Sequence, residues 1–152
     1  KSIILEEGQK VGIGDVDITA LKAKHDDPET IGLKFLTSQF NLVYSSDTRY
    51  FRNIWEEYKG CDILILNVVY PFHNKENQLS SDDAVKIINK VKPKLVIMTH
   101  FGIKMLKADP LYEARKIQKK TGIQIISAKD GMVINPISYS SGLRQKTLKM
   151  YK

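Results

Sequence analysis

Phe40-Asn41-Leu42-Val43-Tyr44-Ser45-Ser46-Asp47-Thr48 joins an apolar and aromatic run to a cluster of turn and helix-cap residues. Phe40 to Tyr44 has the make-up of a buried strand, and Ser-Ser-Asp-Thr ends it, which puts the Asp47 carboxylate at the carboxyl end of that strand. In α/β sheets that edge is where sites are built.

Upstream of this stretch the chain reads as strands alone. Ser2 to Leu5, Lys10 to Ile13 and Val16 to Ala23 are expected strands, the last two joined by the turn pair Gly14-Asp15, and Ile31 to Leu36 pairs with Gln39 to Tyr44. Lys24-His25-Asp26-Asp27-Pro28 is a polar loop between them.

Downstream, helices and strands alternate. Thr48 to Lys59 has Phe51, Ile54, Trp55 and Tyr58 at helical spacing and Gly60 as its stop; Cys61 to Val69 is an almost unbroken apolar run, as in a strand covered on both faces. Tyr70 to Gln78 is a polar loop containing His73. Ser80-Ser81-Asp82-Asp83 opens a helix that Pro93 closes, Lys94 to Thr99 is a second buried strand that ends on His100, and Asp109-Pro110 opens a third helix ending at Gly122. Ile123 to Ser127 and Met132 to Ile134 complete the strands, and Leu143 to Lys152 is a basic tail. The pattern predicts a mixed α/β layer structure over a single unit, residues 1–152.

With 152 residues and 42% hydrophobic content the chain suffices for one cored domain. It has no apolar run long enough for a membrane span and no secretory leader, so a soluble, intracellular, cytoplasmic protein without a membrane partner is expected. The lone Cys61 forms no internal disulfide and reads as a small residue at the start of a strand. A balance of 24 basic to 17 acidic residues, net +7, favours anionic partners such as phosphates or nucleic acid.

Three candidate ligands stand just after strands: His25, Asp47 and His100. Neighbouring strands would bring them to one rim. Two imidazoles and a carboxylate suit zinc, manganese or iron. An aspartate is also the natural bridge between two cations, and a pair about 3.5–4 Å apart activates water and clamps a phosphate or carbonyl oxygen.

The segments Lys24-His25-Asp26-Asp27-Pro28-Glu29-Thr30-Ile31-Gly32, Tyr44-Ser45-Ser46-Asp47-Thr48 and Val96-Ile97-Met98-Thr99-His100-Phe101-Gly102 resemble, in that order, the later motifs of the metallo-β-lactamase-fold hydrolases. The likeness is nearest to the ribonuclease Z-like and phosphodiesterase-like branch, archaeal type, and Ala128-Lys129-Asp130-Gly131-Met132 is similar to that group's last strand turn. The resemblance implies that His25 binds one of two divalent metals, zinc foremost, that Asp47 bridges both as the catalytic ligand, and that His100 binds the second. It further implies hydrolysis of a phosphodiester by a hydroxide made at the metal pair.

The family's HxHxDH motif has no counterpart in this sequence. The expectation is therefore the C-terminal half of an αββα sandwich, inactive by itself, whose partner is the N-terminal half of the same fold, with a second copy of the chain as a further partner. Relatives of the branch also place a histidine before the helix that opens at Ser80; here Gln78 and Leu79 stand there, leaving His73 as the nearby candidate proton donor. The competing readings are a non-catalytic basic nucleic-acid-binding module and an iron-dependent redox relative, which nothing in the sequence favours.

Overall fold

The computed structural model describes residues 3–72 and 77–139. The strands are β1 (Lys10–Ile13), β2 (Val16–Lys22), β3 (Ile31–Leu36), β4 (Asn41–Tyr44), β5 (Ile63–Tyr70), β6 (Leu79–Ser80), β7 (Leu95–Thr99) and β8 (Gln124–Ser127). The helices are α1 (Ile54–Tyr58), α2 (Ser81–Val91), α3 (Ile103–Lys107) and α4 (Pro110–Thr121), with a 3-10 turn at Pro136–Tyr139. The eight strands form one sheet in the order β1-β2-β3-β4-β5-β7-β8, with the short β6 beside β5. β1 to β4 are an antiparallel meander, whereas β4-β5, β5-β7 and β7-β8 pair in parallel. Asp47 follows β4, where the meander gives way to the parallel half.

The strand registers sort the side chains into two rows. Val43, Leu64, Val96 and Ile125 lie side by side and face the helices, where they join Ile54, Tyr58, Ile87, Ile88, Ala114 and Ile117 in one core. Because strand side chains alternate, Tyr44, Ile65, Ile97 and Ile126 form a neighbouring row on the opposite face. Leu42 and Ile63 extend that second face, which also borders a cavity of about 320 Å³ lined by Met132 and Ile134. Both faces of the sheet's centre are therefore apolar, and the helices of the described residues cover only one.

Local chemistry sets the helix ends. Ser80 and Asp83 form a reciprocal capping box, in which the Ser80 hydroxyl accepts from the Asp83 amide at 3.3 Å and the Asp83 carboxylate accepts from the Ser80 amide at 3.3 Å. At α4, Asp109 Oδ1 accepts from the Leu111 amide at 2.9 Å and Pro110 occupies the first turn.

Three expected elements differ. The helix expected over Thr48–Lys59 is confined to Ile54–Tyr58, because Asn53 adopts a left-handed φ of 66° and Thr48 spends its hydroxyl on the Lys24 amide. Met132–Ile134 is not a strand: Met132 closes a turn by donating to the Lys129 carbonyl, and Val133 is 91% exposed. Ile3 to Leu5 also lies outside any strand, with Ile3 and Ile4 exposed. The short α3 and β6 were not anticipated. His73 and the basic tail Leu143 to Lys152 lie outside the described residues.

Cys61 is buried, as a packing residue should be, and burial pushes its thiol up to about 12. Burial likewise raises the Tyr58 phenol, whose hydroxyl has no partner among the described residues. Both groups hold their protons more tightly when folded, so their contribution is intact below the unfolded values near 9.0 and 10.0 and is lost as pH rises toward the folded ones. Stability is expected to fall above pH 9, by at most about 1.4 kcal/mol per pH unit from each group. Urea midpoints measured between pH 7 and 11 check this; a flat profile would contradict it.

Candidate metal centre

Three parallel neighbours, β4, β5 and β7, bring their carboxyl ends to one rim. Tyr44 pairs with Ile65 and Ile65 with Ile97, while Asn67 lies opposite Thr99, the residue before His100. The Ser45 amide still donates to the Ile65 carbonyl at 2.9 Å, and the Asn67 amide donates to Ser45 Oγ at 3.1 Å. The chain then leaves the sheet through residues with left-handed φ, Ser46 at 56° before Asp47 and His100 itself at 59°. Non-glycine residues held in that region gather at functional sites because surrounding structure must enforce them.

At the rim, His100 Nε2 lies 3.4 Å from Asp47 Oδ1. Two ligands of one tetrahedral cation with bonds of about 2.0–2.1 Å stand about 3.4 Å apart, so this carboxylate and imidazole are placed to share one cation. Their side chains remain 29% and 54% exposed, leaving room for further ligands. Asn67, 2% exposed, holds the carboxylate: its Nδ2 donates to Asp47 Oδ1 at 2.6 Å and to the Tyr44 hydroxyl at 3.3 Å. Asn67 Oδ1 has no partner among the described residues.

The loop of His25 is stapled beside Asp47. Lys24 donates its amide to Thr48 Oγ1 at 3.0 Å and accepts from the Arg49 amide at 2.8 Å. His25 Nδ1 accepts from the Asp27 amide at 3.3 Å, and the Gln78 amide group lies 2.8 Å from Nε2. The Gln78 atom facing Nε2 is its side-chain nitrogen, so which of the two donates depends on the tautomer of the ring. Arg49, Asn77 and Asp26 link the same two loops through the Asn77 side chain. For His25 to present Nε2 to a cation, Gln78 must turn away.

The structure thus unites Asp47 with His100 and gives His25 a different partner. Among the described residues, no group of three or more His, Cys, Asp or Glu side chains is arranged to hold a metal ion. The donors fit part of a coordination sphere, an imidazole and a carboxylate on one point, and not a closed one.

Sequence reasoning missed Asn67 and did not pair Gln78 with His25. Asn67 had a readable signal, since it is the one polar side chain within Ile63 to Val69 and a strand apolar on both faces keeps a polar residue only for a partner.

The family model described as beta-lactamase superfamily domain matches residues 1–101. An uncharacterised protein of Methanocaldococcus jannaschii is 36% identical over 134 residues, covering 86% of this chain and 50% of its own length. Among solved structures, the metallo-beta-lactamase fold protein YhfI from Bacillus subtilis superposes with a TM-score of 0.75 at 18% identity, covering 87% of this chain and 54% of that one. Igni18, a metallo hydrolase from Ignicoccus hospitalis, gives 0.69 at 15% identity, covering 85% and 58%. The chain therefore spans about half the length of the relatives it matches. The mixed sheet, the helices on one face and these likenesses give the α/β metallo-β-lactamase fold, and the chain belongs to the beta-lactamase superfamily domain family.

Proposed function

We propose that the chain supplies the later ligands of a divalent-metal centre in a cytoplasmic hydrolase that cleaves phosphodiester bonds. The observation that supports this is the convergence of Asp47 and His100 to 3.4 Å at the carboxyl rim of the parallel strands. A divalent cation of the zinc, manganese or iron type, when bound, supplies positive charge against the phosphoryl oxygens and acidifies water at neutral pH. Asp47 and His100 would hold it. Asn67 donates to Asp47 Oδ1 and so holds the carboxylate in place beside His100, and His25 would add a third donor, at a two-cation centre, once Gln78 releases its ring.

The remaining donors come, in this reading, from a preceding segment of the same fold. That segment lays its own sheet against the apolar face of Tyr44, Ile65 and Ile97, and so meets the same rim. The net charge of +7 draws an anionic substrate to it.

Metal content by mass spectrometry and hydrolysis of bis(p-nitrophenyl) phosphate test the reading on the chain joined to its preceding segment. Bound transition metal, turnover lost to a chelator and turnover restored by zinc or manganese are the expected results. An intact protein that binds no transition metal would refute it.

A further inference from the structure

A second cleft opens beside His100. Its volume is about 370 Å³, and Thr99, His100, Phe101, Leu106, Lys129 and Asp130 line it. That volume suits a small organic molecule rather than a polymer groove.

Both walls of the cleft are fixed by the sheet. One is the start of α3, which packs directly on β5: the Gly102 amide donates to the Val69 carbonyl at 3.2 Å, and a Cβ at Gly102 would stand 2.8 Å from Val69 Cγ1 and 2.9 Å from its carbonyl oxygen. Only glycine permits that approach. The other wall is the turn after β8, where the Ala128 amide donates to the Met98 carbonyl at 2.9 Å and Met132 donates to the Lys129 carbonyl at 3.0 Å. The two walls bring chemically different groups to the mouth. Phe101, partly buried against the core, and the 59% exposed Leu106 are the apolar groups at the mouth, where a flat apolar ligand could cover them. Lys129 is exposed and forms no ion pair with the described carboxylates, so its ammonium is available to an anion. Asp130 is the opposing charge in the same lining.

From this we infer that the cleft is the substrate-recognition subsite of the centre and that it takes a small anionic ester bearing an aryl or similarly flat apolar group. Lys129 meets the anion, Phe101 and Leu106 cover the ring, and His100 forms the boundary between recognition and reaction. This rests on the hydrolase reading above for the reaction, although the binding event stands by itself. Lys129 is a specificity-determining residue and takes no part in bond breaking. Asp130 limits affinity for anions, so removing its charge tightens binding.

Two measurements separate the subsite from the activity, both on the chain joined to its preceding segment. The first is equilibrium binding of phenyl phosphate, followed by NMR shifts of the Phe101, Leu106 and Lys129 amides. Lys129→Ala is expected to weaken binding about tenfold, as loss of one charge-assisted hydrogen bond does, with Lys129→Arg restoring it and Asp130→Asn strengthening it. The second is steady-state hydrolysis of bis(p-nitrophenyl) phosphate against neutral p-nitrophenyl acetate. Lys129→Ala should raise KM for the anionic diester and leave KM for the neutral ester and both kcat values in place. Phenyl phosphate binding with these substitution effects but without hydrolysis leaves the subsite standing and removes the hydrolase reading. No phenyl phosphate binding, shifts confined to other residues, or an equal KM change for both esters overturns the subsite.

Discussion

Replacement of Asp47 by alanine is expected to lower phosphodiester turnover by about a thousandfold or more while shifting Tm only slightly. The carboxylate is the donor that approaches His100 to 3.4 Å, and losing a metal ligand forfeits several kcal/mol of transition-state charge stabilisation, each 1.36 kcal/mol being tenfold in rate. Its structural contribution is smaller. Asp47 is partly exposed, and the substitution removes one hydrogen bond from Asn67, which keeps the Tyr44 hydroxyl, so about 1 kcal/mol of stability is at stake. Asn67→Ala should be milder in rate, about 10–100-fold, because it only releases the carboxylate's orientation. Parallel measurements of kcat, bound metal and thermal midpoint distinguish these effects. Undiminished turnover in Asp47→Ala would remove Asp47 from the centre. Nucleic-acid binding that is salt-sensitive and unchanged by Asp47→Ala, with turnover absent in both proteins, would support the basic binding module instead.

The second large effect concerns the 152 residues by themselves. They are expected to hydrolyse no phosphodiester and to bind divalent metal weakly, and to gain both properties when the preceding segment of the fold is supplied. Two converging donors leave a zinc-type cation short of the three or four protein ligands such sites use. The apolar face of Tyr44, Ile65 and Ile97 offers a second sheet a surface to pack on, and while that surface is uncovered the chain is expected to associate with itself. Titrating purified preceding segment into the chain, with turnover and sedimentation read together, checks both statements. Turnover by the 152 residues alone would show that the half-site argument is wrong.

How far the sequence alone carried these conclusions differs from element to element. The hairpin at Gly14-Asp15, the cap at Ser80 and the Asp109-Pro110 start were legible because each depends on residues close in sequence. The α1 helix was over-read: aromatic spacing over Phe51 to Tyr58 describes packing against the core, whereas Thr48 and Asn53 serve a loop contact and a left-handed turn that periodicity does not register. Met132 to Ile134 read as a strand because it is apolar, although Met132 and Ile134 line a cavity edge and Val133 faces solvent, with no ladder formed. At the rim, Asp47 and His100 were found from their position after strands. The pairing of His25 with Gln78 was not, since it depends on a contact between loops far apart in the chain.

The rim residues share one property with wide effect. Asp47, His100, His25 and Gln78 all lie on loops outside the cluster of buried side chains that holds the helices to the sheet. None of them belongs to the packed group that includes Leu64, Val96 and Ile88. Selection can therefore rewrite the donor set one loop residue at a time without first crossing a stability barrier. A scaffold with that freedom accumulates chemistries faster than it accumulates new shapes.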